Sequence, residues 1–119
     1  MELERGKKSG GSIMLIADTL TFKPNARGGS RAYFDRPTAM CERFEMHVTQ
    51  LNLKGPSHKP HSHVETEIIL VMSGKTKMTI DGKEYNGIAG DFYLANSQLM
   101  HGVRNATDKP CSYFVFLWK

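Results

Sequence analysis

Short segments in which apolar and polar residues alternate recur along the chain from residue 42 onward. In residues 42–53, apolar side chains stand at every second position from Phe44 to Val48, and polar side chains, among them His47, stand between them. A period of two places these two sets on opposite faces of a strand. The pattern therefore predicts a half-buried strand with His47 on its outer face.

Further segments have the length and composition of strands. They are residues 67–72, 75–80, 83–85, 91–95, 101–105 and 111–118. The pair Asp81-Gly82 predicts a two-residue hairpin turn, since glycine tolerates a positive φ. In residues 111–118 both faces are apolar, so we expect this strand to be covered on both sides. Many short strands with no substantial helix predict an all-β sandwich or barrel.

The beginning of the chain differs in composition from the rest. Residues 1–12 contain charges, glycine and serine and almost no apolar side chains, which is typical of a linker. We predict a flexible polar leader over residues 1–12 and one domain over residues 13–119. A linker in this place suggests a chain that descends from, or was cut from, something longer.

Size, charge and cysteine usage argue against several classes of function. The chain has 119 residues, of which 39% are hydrophobic, and a formal net charge of +4. The basic residues form no stripe, so we expect no nucleic-acid partner. No segment approaches the ~20 apolar residues of a membrane span, and no signal peptide is evident, so we expect no membrane partner and a cytoplasmic location. Two cysteines do not make a disulfide framework.

Four residues carry the candidate chemistry. His61 and His63 are two apart, Glu67 follows them, and His101 comes after several predicted strands. Three imidazoles and a carboxylate suit one divalent transition metal such as Mn, Fe, Ni, Co or Zn. The alternatives are exposed loop residues without a shared role, and a degenerate site that holds no metal. His58, three residues before His61, is predicted to be a loop side chain rather than a fifth ligand.

The spacing of these residues resembles the first motif of the cupin superfamily. The matching positions are Gly55, His61, His63, Glu67 and Gly74, separated by five, one, three and six residues. A second segment, with Gly90, His101 and Asn105, resembles the second cupin motif. It departs at Asn96 and Gln98, where the family often has proline and glycine, so the resemblance leaves the shape of that loop open.

The resemblance implies an all-β double-stranded β-helix, a jelly-roll barrel, with the four residues as metal ligands. A narrower resemblance links residues 43–48, 61–69, 113–114 and 118–119 to the C-terminal cupin half of two-domain proteins similar to ureidoglycine aminohydrolase. That family uses manganese to hydrolyse a C–N bond in purine-ureide breakdown. Its ligand pattern, with glutamate and glutamine, is not clearly matched by this sequence.

Other residues are candidates for contacts around the metal. Those predicted to contact a substrate are Gln98, Tyr93, Phe116, Trp118 and Arg31. Those predicted to orient the ligands by hydrogen bonds are Asn105 and Glu65. Because Glu65 shares strand parity with Glu67, it is also an alternative ligand, although the spacing favours Glu67.

The ligand set predicts a metal-dependent protein that acts on a small oxygen-rich molecule, such as a sugar acid, a keto acid or a ureide. A bound ion with about two open positions would act as a Lewis acid in isomerisation, hydrolysis or decarboxylation, and iron would allow a dioxygenase. The alternative is a non-catalytic cupin module or remnant subunit that binds a small ligand. Pairing between strand edges predicts a homodimer.

Overall fold

The computed structural model describes residues 8–9, 12–13 and 20–119, and these residues form strands, turns and loops without a helix. The strands are β1 (Lys8–Ser9), β2 (Ser12–Ile13), β3 (Phe22–Asn25), β4 (Gly28–Arg36), β5 (Phe44–Leu51), β6 (Gly55–Pro56), β7 (Thr66–Ser73), β8 (Thr76–Ile80), β9 (Lys83–Gly87), β10 (Phe92–Ala95), β11 (His101–Asn105) and β12 (Cys111–Trp118). The predicted all-β class is confirmed. Among the described residues there is no helix long and apolar enough to cross a membrane.

The predicted leader falls mostly outside the described residues. Within it, the structure describes only β1 and the first residue of β2, and these two short strands pair antiparallel with Lys8 opposite Ile13. The flexible character assigned to residues 1–12 stays a prediction.

Two antiparallel sheets build the domain. The larger sheet has six strands in the order β10-β7-β12-β5-β4-β3, and the smaller has four in the order β6-β11-β8-β9. Strands that follow one another along the chain often belong to different sheets, as β6 and β7 do. The connections therefore cross between the sheets, and the inner faces of the two sheets enclose a common interior.

The core lies between these inner faces. Its buried apolar side chains include Leu51, Ile69, Met78, Val103, Tyr113 and Val115. On β12 these inner positions are buried, whereas the alternate positions Phe114 and Phe116 are half-buried on the outer face. Phe114 packs edge-on against Tyr33 at a ring-centroid distance of 5.9 Å. The strand is thus fully covered on its inner side and partly covered on its outer side.

The predicted hairpin turn joins β8 to β9. Asp81 and Gly82 have φ angles of 49° and 80°. Two consecutive positive φ angles are typical of the type I′ turn, whose twist matches that of the two strands it joins. Asparagine, aspartate and glycine adopt this conformation at low cost, which explains why the sequence could predict the turn correctly.

Asn105 ties three segments together at the end of β11. Its side chain is fully buried, and its amide Nδ2 donates to the carbonyl oxygens of Leu51 at 3.1 Å and Lys109 at 2.8 Å. Its Oδ1 accepts from the Thr107 amide at 3.1 Å. Asn105 therefore holds a turn and the end of β5, and none of these bonds reaches a predicted metal ligand.

Replacing Asn105 with alanine is expected to lower the free energy of unfolding by about 2–3 kcal/mol, because buried backbone groups lose their partners. Urea unfolding followed by circular dichroism measures this change. Asn86→Ala on exposed β9 is the matched control and should cost less than about 0.5 kcal/mol. Equal costs for the two variants would contradict the assigned role of Asn105.

Candidate metal centre

The four predicted ligands come from both sheets and from the loop between β6 and β7. His61 and His63 lie in this loop, Glu67 is the second residue of β7, and His101 begins β11. The backbones of His61 and His101 pair in an isolated bridge, in which each amide donates to the other carbonyl at 2.9 and 2.8 Å. This bridge fixes the loop against the smaller sheet and carries both histidines to one place.

The four side chains converge. One ligand atom from each of His61, His63, Glu67 and His101 can be chosen so that all lie within 4.8 Å of one another. The ring centroids of the three imidazoles are 4.8 to 5.0 Å apart. This spacing lets all four side chains reach one ion.

Hydrogen bonds to backbone carbonyls orient two of the imidazoles. His63 Nδ1 donates to the carbonyl oxygen of Glu65, and His101 Nδ1 donates to that of Leu99, both at 2.9 Å. Because the carbonyl can only accept, the proton of each neutral ring sits on Nδ1 and the Nε2 lone pair faces the cluster. Metal-binding histidines are commonly oriented in this way.

Several atoms of the cluster are buried without a suitable partner. His63 Nε2, His101 Nε2 and Glu67 Oε2 form no hydrogen bond of normal geometry with any residue in the described part of the chain. His101 Nε2 and Glu67 Oε2 are nevertheless in contact. Two lone-pair atoms repel each other unless they share a cation, either a proton or a metal ion. The donor set and its unpaired atoms thus fit a first-row divalent ion.

The electrostatics of the cluster favour the metal-binding forms of Glu67 and His61 but oppose that of His101. Burial opposes ionisation of Glu67, but its contact with His101 and the charges of the nearby imidazoles outweigh burial and lower its pKa. Burial, together with the neighbouring histidines, lowers the pKa of His61. Burial would also lower the pKa of His101, but Glu67 raises it overall, so a proton competes with the ion at this ring.

Glu65 is close to the cluster without joining it. Its carboxylate accepts from the Arg43 guanidinium at 2.6 Å, and this hydrogen bond lowers the pKa of Glu65. Its carbonyl oxygen orients His63, as described above. Of the two carboxylates that the sequence left open, Glu67 is the one that the structure brings to the imidazoles.

The cluster lies in the wall of a cavity of about 770 Å³ between the two sheets. All five histidines of the chain line this cavity, including His47 and His58. The His58 ring stacks on that of His61 with centroids 4.4 Å apart and stays outside the four-residue cluster. The predicted loop position of His58 agrees with its place between β6 and β7.

The prediction for His47 was wrong, and sequence reasoning also missed Glu45 as a site residue. Both residues lie on the inner face of β5 and line the cavity, whereas the alternate, apolar residues face outward. The expectation that apolar residues point inward fails here because β5 faces a cavity that is lined by polar as well as apolar side chains. A signal was available in the sequence. Glu45 and His47 are two residues apart on one predicted strand, so they share a face, and a carboxylate and an imidazole on one face indicate a polar environment.

The predicted substrate contacts on β12 lie on the other face of the strand. Tyr113, Val115 and Leu117 line the cavity, whereas Phe116 and Trp118 do not. The alternation of residues along β12 correctly separated the side chains of its two faces, but it does not show which face points into the barrel. Phe116 and Trp118 are therefore not carried into the proposed function.

The other predicted contacts also lie away from the cavity lining. Arg31 packs its guanidinium over the Phe22 ring at 5.9 Å, and the Tyr93 hydroxyl donates to the Tyr85 carbonyl oxygen at 3.5 Å. Gln98 has a φ of 69°, which glycine adopts more easily, and its amide donates to the carbonyl oxygen of His63 at 2.8 Å. Gln98 thus keeps the turn conformation that the family often achieves with glycine and positions a ligand through its backbone.

Comparison with known proteins decides the family. A family model described as the cupin domain matches residues 48–117, more than half of the chain. The chain belongs to the cupin family. The strands of this cupin form the all-β jelly-roll barrel expected from the motif resemblance. No curated protein matches the chain in sequence.

Solved structures agree with this assignment. A cupin protein from Bacteroides fragilis is 27% identical over 64% of this chain and 65% of that chain, with a TM-score of 0.60. The match thus covers slightly less than two thirds of the Bacteroides protein. An RmlC-like cupin from Shewanella frigidimarina is 13% identical over 95% and 93% of the two chains, with a TM-score of 0.71. A cupin 2 conserved barrel domain protein from Salinispora arenicola is 22% identical over 83% and 82%, with a TM-score of 0.66.

We expect this cupin to bind one divalent ion per chain, and His101→Gln to weaken binding at least about 100-fold, because a buried ligand is lost. Isothermal titration of chelator-stripped protein with Mn²⁺ and Zn²⁺ measures the affinity. His47→Gln removes another histidine of the same cavity and should change the affinity less than about threefold. If His101→Gln binds both ions with the wild-type affinity, His101 is not a ligand and the proposed metal site is contradicted.

Proposed function

We propose that this cupin is a metal-dependent enzyme that acts on a small oxygen-rich acid bound in the cavity. The convergence of His61, His63, Glu67 and His101 at the wall of the cavity is the observation that carries the proposal. The proposed cofactor is one divalent ion, Mn, Fe, Ni, Co or Zn. A cavity of about 770 Å³ lies within the range that holds small-molecule ligands.

Positive charge in the cavity supports an anionic substrate. Lys23 and Arg27 both line the cavity, and neither forms an ion pair with a carboxylate in the described part of the chain. A guanidinium group binds a carboxylate through two parallel hydrogen bonds, and a lysine supplies a mobile point charge. These residues favour a sugar acid or a keto acid over a neutral ligand.

Hydroxyl and amide groups add directional contacts. Burial raises the pKa of Tyr113 to about 12, so its hydroxyl is protonated at neutral pH and can donate a hydrogen bond. Ser30 and Asn25 line the same cavity near Lys23 and Arg27. Together these groups supply both donors and acceptors, as recognition of a polyhydroxylated or oxo acid requires.

A bound ion would act as a Lewis acid on a carbonyl or carboxylate oxygen of the substrate. The protein supplies groups that hold and move protons, since Glu45 and His47 line the cavity apart from the ligands. A non-catalytic binding module needs no such groups, so their presence favours turnover. The reaction classes that fit are isomerisation, hydrolysis, decarboxylation and, with iron, dioxygenation. The narrower resemblance to proteins similar to ureidoglycine aminohydrolase adds ureides to the candidate substrates.

The proposal predicts turnover of at least one acid that chelation abolishes. Sugar acids, keto acids and ureides are incubated with metal-loaded protein, with EDTA-treated protein and with His61→Ala, and products are followed by mass spectrometry. EDTA and His61→Ala are both expected to reduce the rate at least about 100-fold, and metal addition should restore only the EDTA-treated wild type. Arg27→Ala should raise KM for acids about tenfold without the same effect on ureides that lack a carboxylate.

Two results would contradict this account. Turnover that is insensitive to EDTA and to His61→Ala rules out a metal mechanism. Binding of an acid without turnover of any candidate supports the alternative, a non-catalytic module that holds a small ligand.

We also propose that the chain forms a homodimer through β10. This strand is an edge of the larger sheet, and Phe92 and Leu94 on it are 63% and 43% exposed. Exposed strand edges with apolar side chains are sites at which a second chain can pair. The small-molecule site lies inside the barrel, so pairing at β10 leaves it free.

Leu94→Glu is expected to convert the dimer into a monomer, because it introduces a charge at the pairing edge. Light scattering coupled to size-exclusion chromatography measures the mass. Tyr85→Glu is the matched control on β9, the exposed edge of the smaller sheet, and should leave the dimer intact. A wild-type protein with the mass of one chain would overturn the proposed dimer.

A further inference from the structure

Glu45 and His47 form a carboxylate–imidazole pair on the inner face of β5. His47 Nδ1 donates to Glu45 Oε1 at 2.6 Å, a short hydrogen bond. Both side chains line the cavity, and Glu45 is buried while His47 is about one quarter exposed. The pair is thus sheltered by the barrel and open to the cavity at the histidine.

The sheet register relates this pair to the metal centre. Glu45 on β5 is opposite Leu117 on β12, and Leu117 is opposite Glu67 on β7. Residues directly opposite one another in neighbouring strands point to the same face of the sheet. Two strand spacings of about 4.8 Å separate Glu45 from Glu67, so their Cα atoms are about 10 Å apart on one wall. His47 lies two residues further along β5 on the same face, opposite Val115, which is opposite Ile69, so the pair and the metal centre share one wall of the cavity.

The hydrogen bond sets the state of the imidazole. Because the Glu45 carboxylate accepts from Nδ1, the ring proton of neutral His47 lies on Nδ1 and the Nε2 lone pair is available. Nε2 forms no hydrogen bond with any residue in the part of the chain that the structure describes. If Nε2 takes up a proton, the adjacent carboxylate stabilises the resulting imidazolium. A histidine oriented by a buried carboxylate is a recurring arrangement in enzymes that transfer protons.

The second carboxylate oxygen also points to a ligand. Glu45 Oε2 is buried and has no hydrogen-bond partner among the described residues. An unpaired buried acceptor costs free energy unless a ligand or water supplies a donor. A hydroxyl group of a bound acid would satisfy it. The hydrogen bond to His47 uses only Oε1, so a purely structural role for the pair does not account for the buried, unpaired Oε2.

We propose that His47 transfers the substrate proton, with Glu45 as its positioning residue, and that the substrate is an acid with a C–H bond next to a carbonyl group. This inference rests on the proposed function. His47 Nε2 accepts the proton as the C–H bond breaks. The electron pair of that bond forms the C=C bond of an enolate, and the carbonyl π pair moves to the oxygen. The imidazolium then returns the proton to carbon, so the protein ends in its starting state.

A spectroscopic experiment tests the pair without a substrate. In ¹⁵N-labelled, Zn²⁺-loaded protein, long-range ¹H–¹⁵N correlations report which imidazole nitrogen carries the proton. The His47 signals are identified by their loss in His47→Gln and are expected to show the Nδ1–H form. Glu45→Ala should remove this preference. An Nε2–H form in the wild type would overturn the proposal.

Hydrogen exchange tests the chemistry. Metal-loaded protein is incubated with 2-oxobutyrate or 2-oxoglutarate in D₂O, the reaction is stopped with EDTA, and deuterium at C3 is counted by mass spectrometry. His47→Gln is expected to reduce kcat for exchange at least about 100-fold, and Glu45→Gln about tenfold, with KM and Zn²⁺ affinity changed less than about threefold. Glu84→Gln, an exposed glutamate on β9, is the control and should exchange at the wild-type rate.

The outcomes separate this inference from the proposed function. Equal exchange by wild type and His47→Gln overturns the role of His47 but keeps a metal-dependent enzyme. If the wild type binds Zn²⁺ and the acids without exchanging hydrogen, the proton-transfer proposal is overturned and the binding site is kept. If Zn²⁺-loaded protein binds neither acid, the substrate class of this inference is overturned, and the proposed function fails as well only if EDTA-sensitive turnover of the sugar acids and ureides is also absent.

Discussion

A carboxylate buried among three imidazoles is the constraint on which this structure depends. Glu67 is only 7% exposed, and burial of an unpaired charge is costly unless a cation compensates it. A cation shared by the four side chains would supply this compensation, and the side chains that would hold it come from the larger sheet, the smaller sheet and the loop between them. The cluster therefore joins the two sheets of the barrel at the wall of the cavity. Removal of one member leaves a buried charge behind, which couples metal binding to the stability of the fold.

The same constraint explains the unusual polarity of β5. In a barrel with a fully apolar core, the strands have apolar side chains on the inner face and polar side chains on the outer face. Here Glu45 and His47 face the cavity, and the alternate residues Phe44 and Met46 face outward. Apolar residues of the core, such as Ile69 and Val103, line the same cavity as the metal centre, so the interior combines packing residues with polar side chains. A cavity of this kind can bind a polar molecule.

Sequence reasoning was strongest where the chemistry is local or the spacing is specific. The Asp81-Gly82 turn, the all-β class and the family followed from turn chemistry, periodicity and motif spacing. The four residues proposed as ligands were chosen from spacing, and the structure brings them together. The placement of residues on β5 and β12 could not be predicted for one physical reason. Alternation shows which residues of a strand share a face but not which face is enclosed, so His47 was predicted to face outward, and Phe116 and Trp118, predicted to contact a substrate, do not line the cavity.

The central claim, that the four side chains hold one ion between the two sheets, is tested most directly by X-ray diffraction at the absorption edge of the bound metal. The account predicts one anomalous peak per chain, about 2.0–2.2 Å from ligand atoms of His61, His63, Glu67 and His101. A crystal grown with excess metal that shows no peak among these residues, or that shows their side chains turned away from one another, would contradict it.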